Sequence, residues 1–265
     1  STAAAVYQKN GTVKISGAAT KLLGNNALVV KAGEGSNPDT IDTQLSGGTY
    51  STKPDESWVV EGKEIHQTDD GLYKIEGPYV VEVTIDGTAT KYDSWLSAFK
   101  SSTAQYKNAT VKLLKDIETT TLVSTYANVT IDFNGNTLTV TKDSSSSNYA
   151  AAIVLFNGAE LTLKDSIGNG GMTTTNVYGI EVQSGSTVTI ESGTYNCDTS
   201  VVQVDNGNAY IKGGTFKTED TDKSYLLNCI DDAFKAGTAK MEVTGGTFYG
   251  FDPSANPEGE GTTYV

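Results

Sequence analysis

Arginine is missing from this sequence, so all 19 basic residues are lysines, set against 32 aspartates and glutamates. Without it the chain lacks the planar, five-donor fork that best clamps phosphates and carboxylates. The resulting net charge of −13 and pI near 4.5 argue against a grip on nucleic acid or an anionic membrane. Histidine is nearly missing too: His66 is the only one, which leaves a short menu of catalytic bases at neutral pH. The two cysteines, Cys197 and Cys229, are too few for a disulfide framework and lack the spacing of zinc or redox sites. They read as small buried side chains, with a bridge between neighbouring strands as the alternative. No run of about 18 apolar residues occurs, which excludes a bilayer-spanning helix. The opening STAAAVYQKN has no basic n-region or apolar h-region and enters a strand-like pattern almost at once, as a cut piece of a longer chain would.

What is present is a repeat. From Asn128 onward an apolar strand, a turn of Asn-Gly or Ser-Gly type, and a second alternating strand recur. The copies run from Val129–Gly135 into Thr137–Val140, from Ile153–Gly158 into Leu161–Leu163, and from Ile180–Gly185 into Val188–Ile190. Two more are Val201–Gly207 into Tyr210–Ile211, and Leu226–Asp232 reaching Gly237 and then Met241–Val243. An after-turn signature repeats with them as Ser192-Gly-Thr-Tyr195, Gly213-Gly-Thr-Phe216 and Gly245-Gly-Thr-Phe248. Alternation such as Thr187-Val-Thr-Ile190 places valine and isoleucine on one face and threonine on the other, which a helix does not do. A sandwich has similar strands but no reason to phase a Gly-Thr-aromatic corner, whereas a coiled parallel sheet repeats one corner per coil. The expected fold is therefore all-β, a right-handed parallel β-helix, with strands about 4.8 Å apart between coils. After Gly207 the apolar phase slips by one residue, so a bulge or altered turn is expected there.

Residues 1–77 carry the same grammar in Gly11–Gly17, Ala27–Gly33 and Leu45-Ser-Gly-Gly-Thr-Tyr50. Trp58–Val60, Lys63–Ile65 and Gly71–Ile75 then read as short antiparallel strands, with Asp69-Asp-Gly71 as a hairpin turn. The division expected is 1–77, the C-terminal part of a first β-helical module with a short antiparallel junction, and 78–265, a second module. One helix is expected over 93–104, with Asp93 capping its first turn and Trp95, Leu96 and Phe99 on its apolar face. It would cap the bare edge of the first coil.

The sequence resembles the tandem β-helix modules of large secreted or wall-attached proteins from gut-dwelling Gram-positive anaerobes. Gly213-Gly-Thr-Phe216, Gly245–Pro253, Asn128–Leu138 and the ending Asn256–Val265 carry the likeness. It implies an extracellular place on a bacterial surface and a role as adhesin, stalk or immunoglobulin-binding superantigen, with adjacent modules of the same chain as neighbours.

Parallel β-helices often process acidic polysaccharides, which makes a catalytic reading relevant here. A lyase with an arginine base is excluded by composition. Asp231-Asp232 invites comparison with carboxylate-pair hydrolases, but no Gly-His-Gly or Arg-x-Lys accompanies it, and a solvated turn is the expectation. Glu219-Asp-Thr-Asp222 offers oxygen ligands for calcium but has no EF-hand pattern. Gly168-Asn-Gly-Gly171 is expected to be a flexible loop, and His66 an exposed strand residue. No catalytic residue, metal or cofactor is assigned. The function expected is recognition of a host protein or glycan, immunoglobulin above all, with a polysaccharide lyase or hydrolase and a passive stalk as alternatives. Three long insertions, Lys142–Tyr149, Ser166–Tyr178 and Lys217–Tyr225, each end in a tyrosine, so Tyr149, Tyr178 and Tyr225 are the candidate binding residues.

Overall fold

The structure is a computed structural model that describes residues 4–33, 40–103, 108–143, 150–217, 226–255 and 263–264. It is all-β in character, with parallel sheets, and divides into two compact units, Ser1–Pro78 and Tyr79–Val265.

In the larger unit the chain visits three sheets in rotation. Five parallel strands, Val123–Thr125, Ala151–Leu155, Tyr178–Val182, Val202–Val204 and Leu227–Cys229, form one sheet in that order. Six parallel strands form the second: Ile117–Thr119, Thr137–Thr141, Gly171–Thr175, Thr194–Cys197, Thr215–Lys217 and Thr247–Tyr249. The third, nine-stranded sheet opens with the antiparallel hairpin Val81–Ile85/Thr88–Tyr92, turned at Asp86-Gly87. Ala109–Leu113 joins it antiparallel, and from there the order runs in parallel through Val129–Asp132, Glu160–Lys164, Ser186–Ile190, Gly207–Ile211, Ala239–Val243 and Thr263–Tyr264.

Registers explain the core. Val111, Ile131, Leu163, Ile190, Ile211 and Val243 pair in succession, as do Leu138, Met172, Tyr195, Phe216 and Phe248 in the six-stranded sheet. All but Phe248 are buried. Each fully buried side chain contributes about 1.5–3 kcal/mol of transfer free energy, and the period-two alternation delivers them to one side. The aromatics add a stack, with Tyr195 and Phe216 5.2 Å apart at 14° and Phe216 and Phe248 4.8 Å apart at 11°.

Several expectations need correction. Val129–Gly135 does not lead into the same kind of strand as Ile153–Gly158 does. Thr137–Thr141 lies in the six-stranded sheet beside Gly171–Thr175, while Val129–Asp132 is the partner of Glu160–Lys164. At Gly207 there is no bulge: Ser186–Ile190 and Gly207–Ile211 pair without interruption. The altered turn is the answer, because Gly207 takes the ladder position of Ser186 with φ +140, and a Cβ there would lie 2.2 Å from the Ser186 carbonyl oxygen. Gly171 is not in a flexible loop but in a strand between Thr137 and Thr194, so the insertion over 166–178 holds only a short loop. The helix α1 spans Trp95–Thr103, and its cap is Ser94, whose Oγ accepts from the Ser97 N–H at 3.3 Å. Trp95, Ala98 and Phe99 are buried, whereas Leu96 faces solvent. Asp231 and Asp232 open a five-residue helix, α2 (Asp231–Lys235), where carboxylates suit the partial positive charge of the first turn.

The smaller unit pairs Ala4–Gln8 with Asn26–Val30, Gly11–Ile15 with Ile41–Leu45, and Lys21–Leu22 with Thr49–Tyr50, all parallel. Thr49–Tyr50 then takes an antiparallel hairpin, Tyr73–Glu76 and Glu64–Gln67. Its turn closes through Gly71 N–H to Thr68 O at 2.9 Å. Tyr50 is buried and its hydroxyl donates to Gly47 O at 2.8 Å, as Tyr195 donates to Ser192 O at 2.8 Å. The Gly-Thr-aromatic corner thus turns its ring inward and answers the phenol with the carbonyl three residues back. Burial pushes the Tyr50 phenol up to about 12.

Candidate recognition surface

The residues between the buried ones form outward columns, set by the same registers. Across the six-stranded sheet one column reads Glu118, Thr139, Thr173, Asn196, Lys217 and Tyr249. Beside it runs Thr137, Gly171, Thr194, Thr215 and Thr247. Tyr249 is 55% exposed, and the Lys217 ammonium sits 5.7 Å from its ring centroid. Two shallow depressions lie on this sheet. One of about 500 Å³ is lined by Glu118, Thr119, Thr120, Thr139 and Thr141, and one of about 260 Å³ by Thr173, Thr174, Thr175, Asn196 and Asp198. Asp198 accepts from the Asn176 N–H through Oδ2 at 2.8 Å, while its buried Oδ1 has no hydrogen-bond partner among the described residues.

The nine-stranded sheet carries a threonine column too, Thr84, Thr110, Thr130, Thr162 and Thr189. On the five-stranded sheet the outward residues are Ser124, Val154, Glu181, Gln203 and Asn228. Here two carboxylates meet. Gln183 Nε2 donates to Glu181 Oε1 at 2.5 Å, Gln203 Nε2 donates to Asp205 Oδ1 at 3.1 Å, and Asn228 Nδ2 donates to Gln203 Oε1 at 3.3 Å. Partial burial lifts Glu181 above the usual carboxylate range, and the adjoining Asp205 carboxylate adds to this, with the Gln183 amide opposing.

Other carboxylates are engaged in holding corners. Asp165 accepts from the Gly135 and Gly170 N–H groups at 2.7 Å each, and Asp132 from Asn134 and Ser166 at 3.0 Å each. Among the described residues no group of three or more His, Cys, Asp or Glu side chains converges in a way that could hold a metal ion, and no helix is long and apolar enough to cross a membrane.

Of the tyrosines singled out, Tyr178 begins a strand of the five-stranded sheet opposite Ala151 and is half-buried, while Tyr149 and Tyr225 lie outside the described residues. Glu219–Asp222 lies outside them as well. His66 is half-buried rather than exposed, its Nε2 3.2 Å from Gly77 O. Cys197 and Cys229 are free buried thiols, each pushed up to about 12 by burial. Sequence reasoning placed the candidates at the ends of long insertions and so missed the outward column ending in Lys217 and Tyr249. Its signal was the alternation after Gly-Gly-Thr, which sends the aromatic residue in and the residue after it out.

No family model, curated protein or solved structure matches this chain.

Proposed function

We propose that the larger unit is a right-handed parallel β-helix, the smaller unit the end of another, and that the chain is a non-enzymatic recognition module of a bacterial cell surface. The supporting observation for the first part is the rotation of the chain through three sheets, each strand lying parallel to the one from the previous round. Such stacking makes stiff, flat flanks, and flat flanks suit contact with a macromolecule better than chemistry in a pocket.

The surface assigned to recognition is the outer face of the six-stranded sheet, with Tyr249 as its aromatic anchor and Lys217, Asn196 and Thr173 as polar contacts. An exposed tyrosine offers wide contact area at low rotamer entropy, and the lysine above it brings a charge that this acidic chain otherwise has in deficit. The partner proposed is a host protein or glycan, immunoglobulin first, on the strength of the sequence likeness.

The test is surface-immobilised full chain exposed to purified immunoglobulin and to mucin glycans, alongside a Lys217→Glu, Tyr249→Ser double variant. Retention at micromolar concentration that the variant loses supports the reading. No retention of either class points to a passive stalk, and retention that the variant keeps moves the contact off this face. The enzymatic alternative has a readout of its own. Release of reducing ends or unsaturated products from polygalacturonate would establish it in place of the recognition reading.

A further inference from the structure

The two units end in the same way. Ile41–Leu45 is followed by Ser46-Gly47-Gly48-Thr49-Tyr50, and Ala239–Val243 by Thr244-Gly245-Gly246-Thr247-Phe248. Each end continues into a 3-10 turn opened by an aspartate. Asp55 Oδ1 accepts from Ser57 N–H and Oγ at 2.9 and 2.7 Å, and Asp252 Oδ1 accepts from Ser254 N–H and Oγ at 2.9 and 2.7 Å. Each chain then returns to lie parallel beside the strand before the glycines, Val59 against Leu45 and Tyr264 against Val243. Leu45 and Val243 hold the same place, two residues before the first glycine.

The ends part at the next element. In the smaller unit the hairpin lays Lys74 opposite Thr49 and Tyr73 opposite Tyr50, and Ile75 N–H donates to Gly48 O at 3.0 Å. Tyr50 and Ile75 are 0% and 2% exposed as a result. In the larger unit Thr247–Tyr249 is the last strand of its sheet, and among the described residues nothing pairs with its outer edge. Phe248 and Phe251 are only partly covered. Thr247 N–H donates inward to Gly214 O, as Thr49 N–H does to Thr20 O. Ladder alternation therefore turns the Phe248 N–H and the Gly246 carbonyl toward the open edge, the roles that Tyr50 and Gly48 fill in the smaller unit. An apolar edge of this kind is a ready template for strand addition.

We propose that the outer edge of Thr247–Tyr249 is a docking site for an antiparallel β-hairpin of the kind formed by residues 61–77, entering with its second strand and placing an apolar residue in the position of Ile75 over Phe248 and Phe251. The inference stands apart from the recognition reading, since it concerns the edge of the sheet and not its face.

The test appends a copy of residues 61–77 after Val265 of the full chain, at the place where Glu61 follows Val60. Hydrogen exchange at the Phe248 amide is read beside thermal unfolding followed by Trp95 fluorescence in a Trp58→Phe background. Docking slows Phe248 exchange at least tenfold and raises the melting temperature, and an appended copy carrying Ile75→Asp does neither. Unchanged exchange, equal protection by the aspartate copy, or a Phe248 amide already protected in the unextended chain at low concentration would overturn the proposal. Protection of the unextended chain that grows with its concentration would overturn it in favour of a second copy on the same edge.

Discussion

Replacing Gly171 with alanine separates two reasons for which this fold uses glycine. Gly171 does not need a left-handed backbone, so alanine suits its dihedrals, but a Cβ there would lie 1.8 Å from the Thr194 carbonyl oxygen in the next strand. Relief requires this strand to move away from Thr194, which stretches the Thr194 N–H to Gly170 O bond of 2.9 Å and presses Gly171 toward Asn136, whose carbonyl already accepts its N–H at 3.0 Å. Overpacking of this kind costs about 1–3 kcal/mol, and the weakened bond adds about 1 kcal/mol. The stiffer unfolded chain gives back about 0.4–1 kcal/mol, leaving a cost of about 1–3.5 kcal/mol. Gly158 is the control: its φ is +74 and a Cβ there meets nothing within 4 Å, so Gly158→Ala carries only the left-handed strain of about 1–2 kcal/mol, less the same unfolded-state gain. Urea unfolding followed by Trp95, 3% exposed in the larger unit, reads both variants once Trp58 is phenylalanine. Because the chain has two units, the Trp95 transition is fitted by itself. If Gly171→Ala costs no more than Gly158→Ala, the close parallel stacking of these strands is wrong.

Phe216→Ala removes the middle ring of the aromatic stack and is expected to cost about 3–5 kcal/mol by urea midpoint, whereas Phe216→Leu keeps most of the volume and costs about 1.5 kcal/mol or less. Glu181 keeps its proton longer in the fold than in the unfolded chain, so its contribution to stability falls as pH rises above the ordinary glutamate range. Glu181→Gln flattens that part of the melting-temperature profile between pH 4 and 8 and stabilises at pH 7 by under about 1 kcal/mol, the site being half open to water. A Glu181→Gln profile with the same slope as the wild type over this window would contradict the raised Glu181. Cys197 and Cys229, both pushed up to about 12, stay unreacted with a thiol reagent at pH 8 until urea unfolds the chain. The unfolded chain releases these protons first, so stability falls as pH climbs past the ordinary thiol range of about 8.5.

The all-β character, the inward phase of the strands and the hairpin at Asp69-Asp-Gly71 were legible because alternation and turn chemistry are local. Which corner a turn belongs to was not. Asn134-Gly135 and Asn157-Gly158 have nearly the same left-handed pair, φ 51 and 78 against 58 and 74, yet the first bends from the nine-stranded to the six-stranded sheet and the second from the five-stranded to the nine-stranded. Identical local geometry at different corners is why Thr137–Thr141 was grouped with the wrong partners. Gly171 failed for the opposite reason: its constraint comes from a strand more than twenty residues away, and only the register exposes it. The meeting of Glu181 with Asp205 is of the same kind, since neighbouring rounds are separated by loops of variable length.

Uniform columns pose a problem of their own, because a sheet of interchangeable threonines specifies its register weakly. The nine-stranded sheet answers with charge. Next to the threonine column, Lys91, Glu82, Lys112, Asp132 and Lys164 occupy successive paired positions with alternating sign. A strand that slipped by two residues would lose these oppositions, each worth about 0.2–1 kcal/mol, and set threonine against charge. The six-stranded sheet has no such series among its described residues and relies on its interior, where the buried Leu138, Met172, Tyr195 and Phe216 pair in succession and the two rings stack. Register on that side is therefore held from within. Its outer residues are thus not needed to set the register, whereas those of the charged column are.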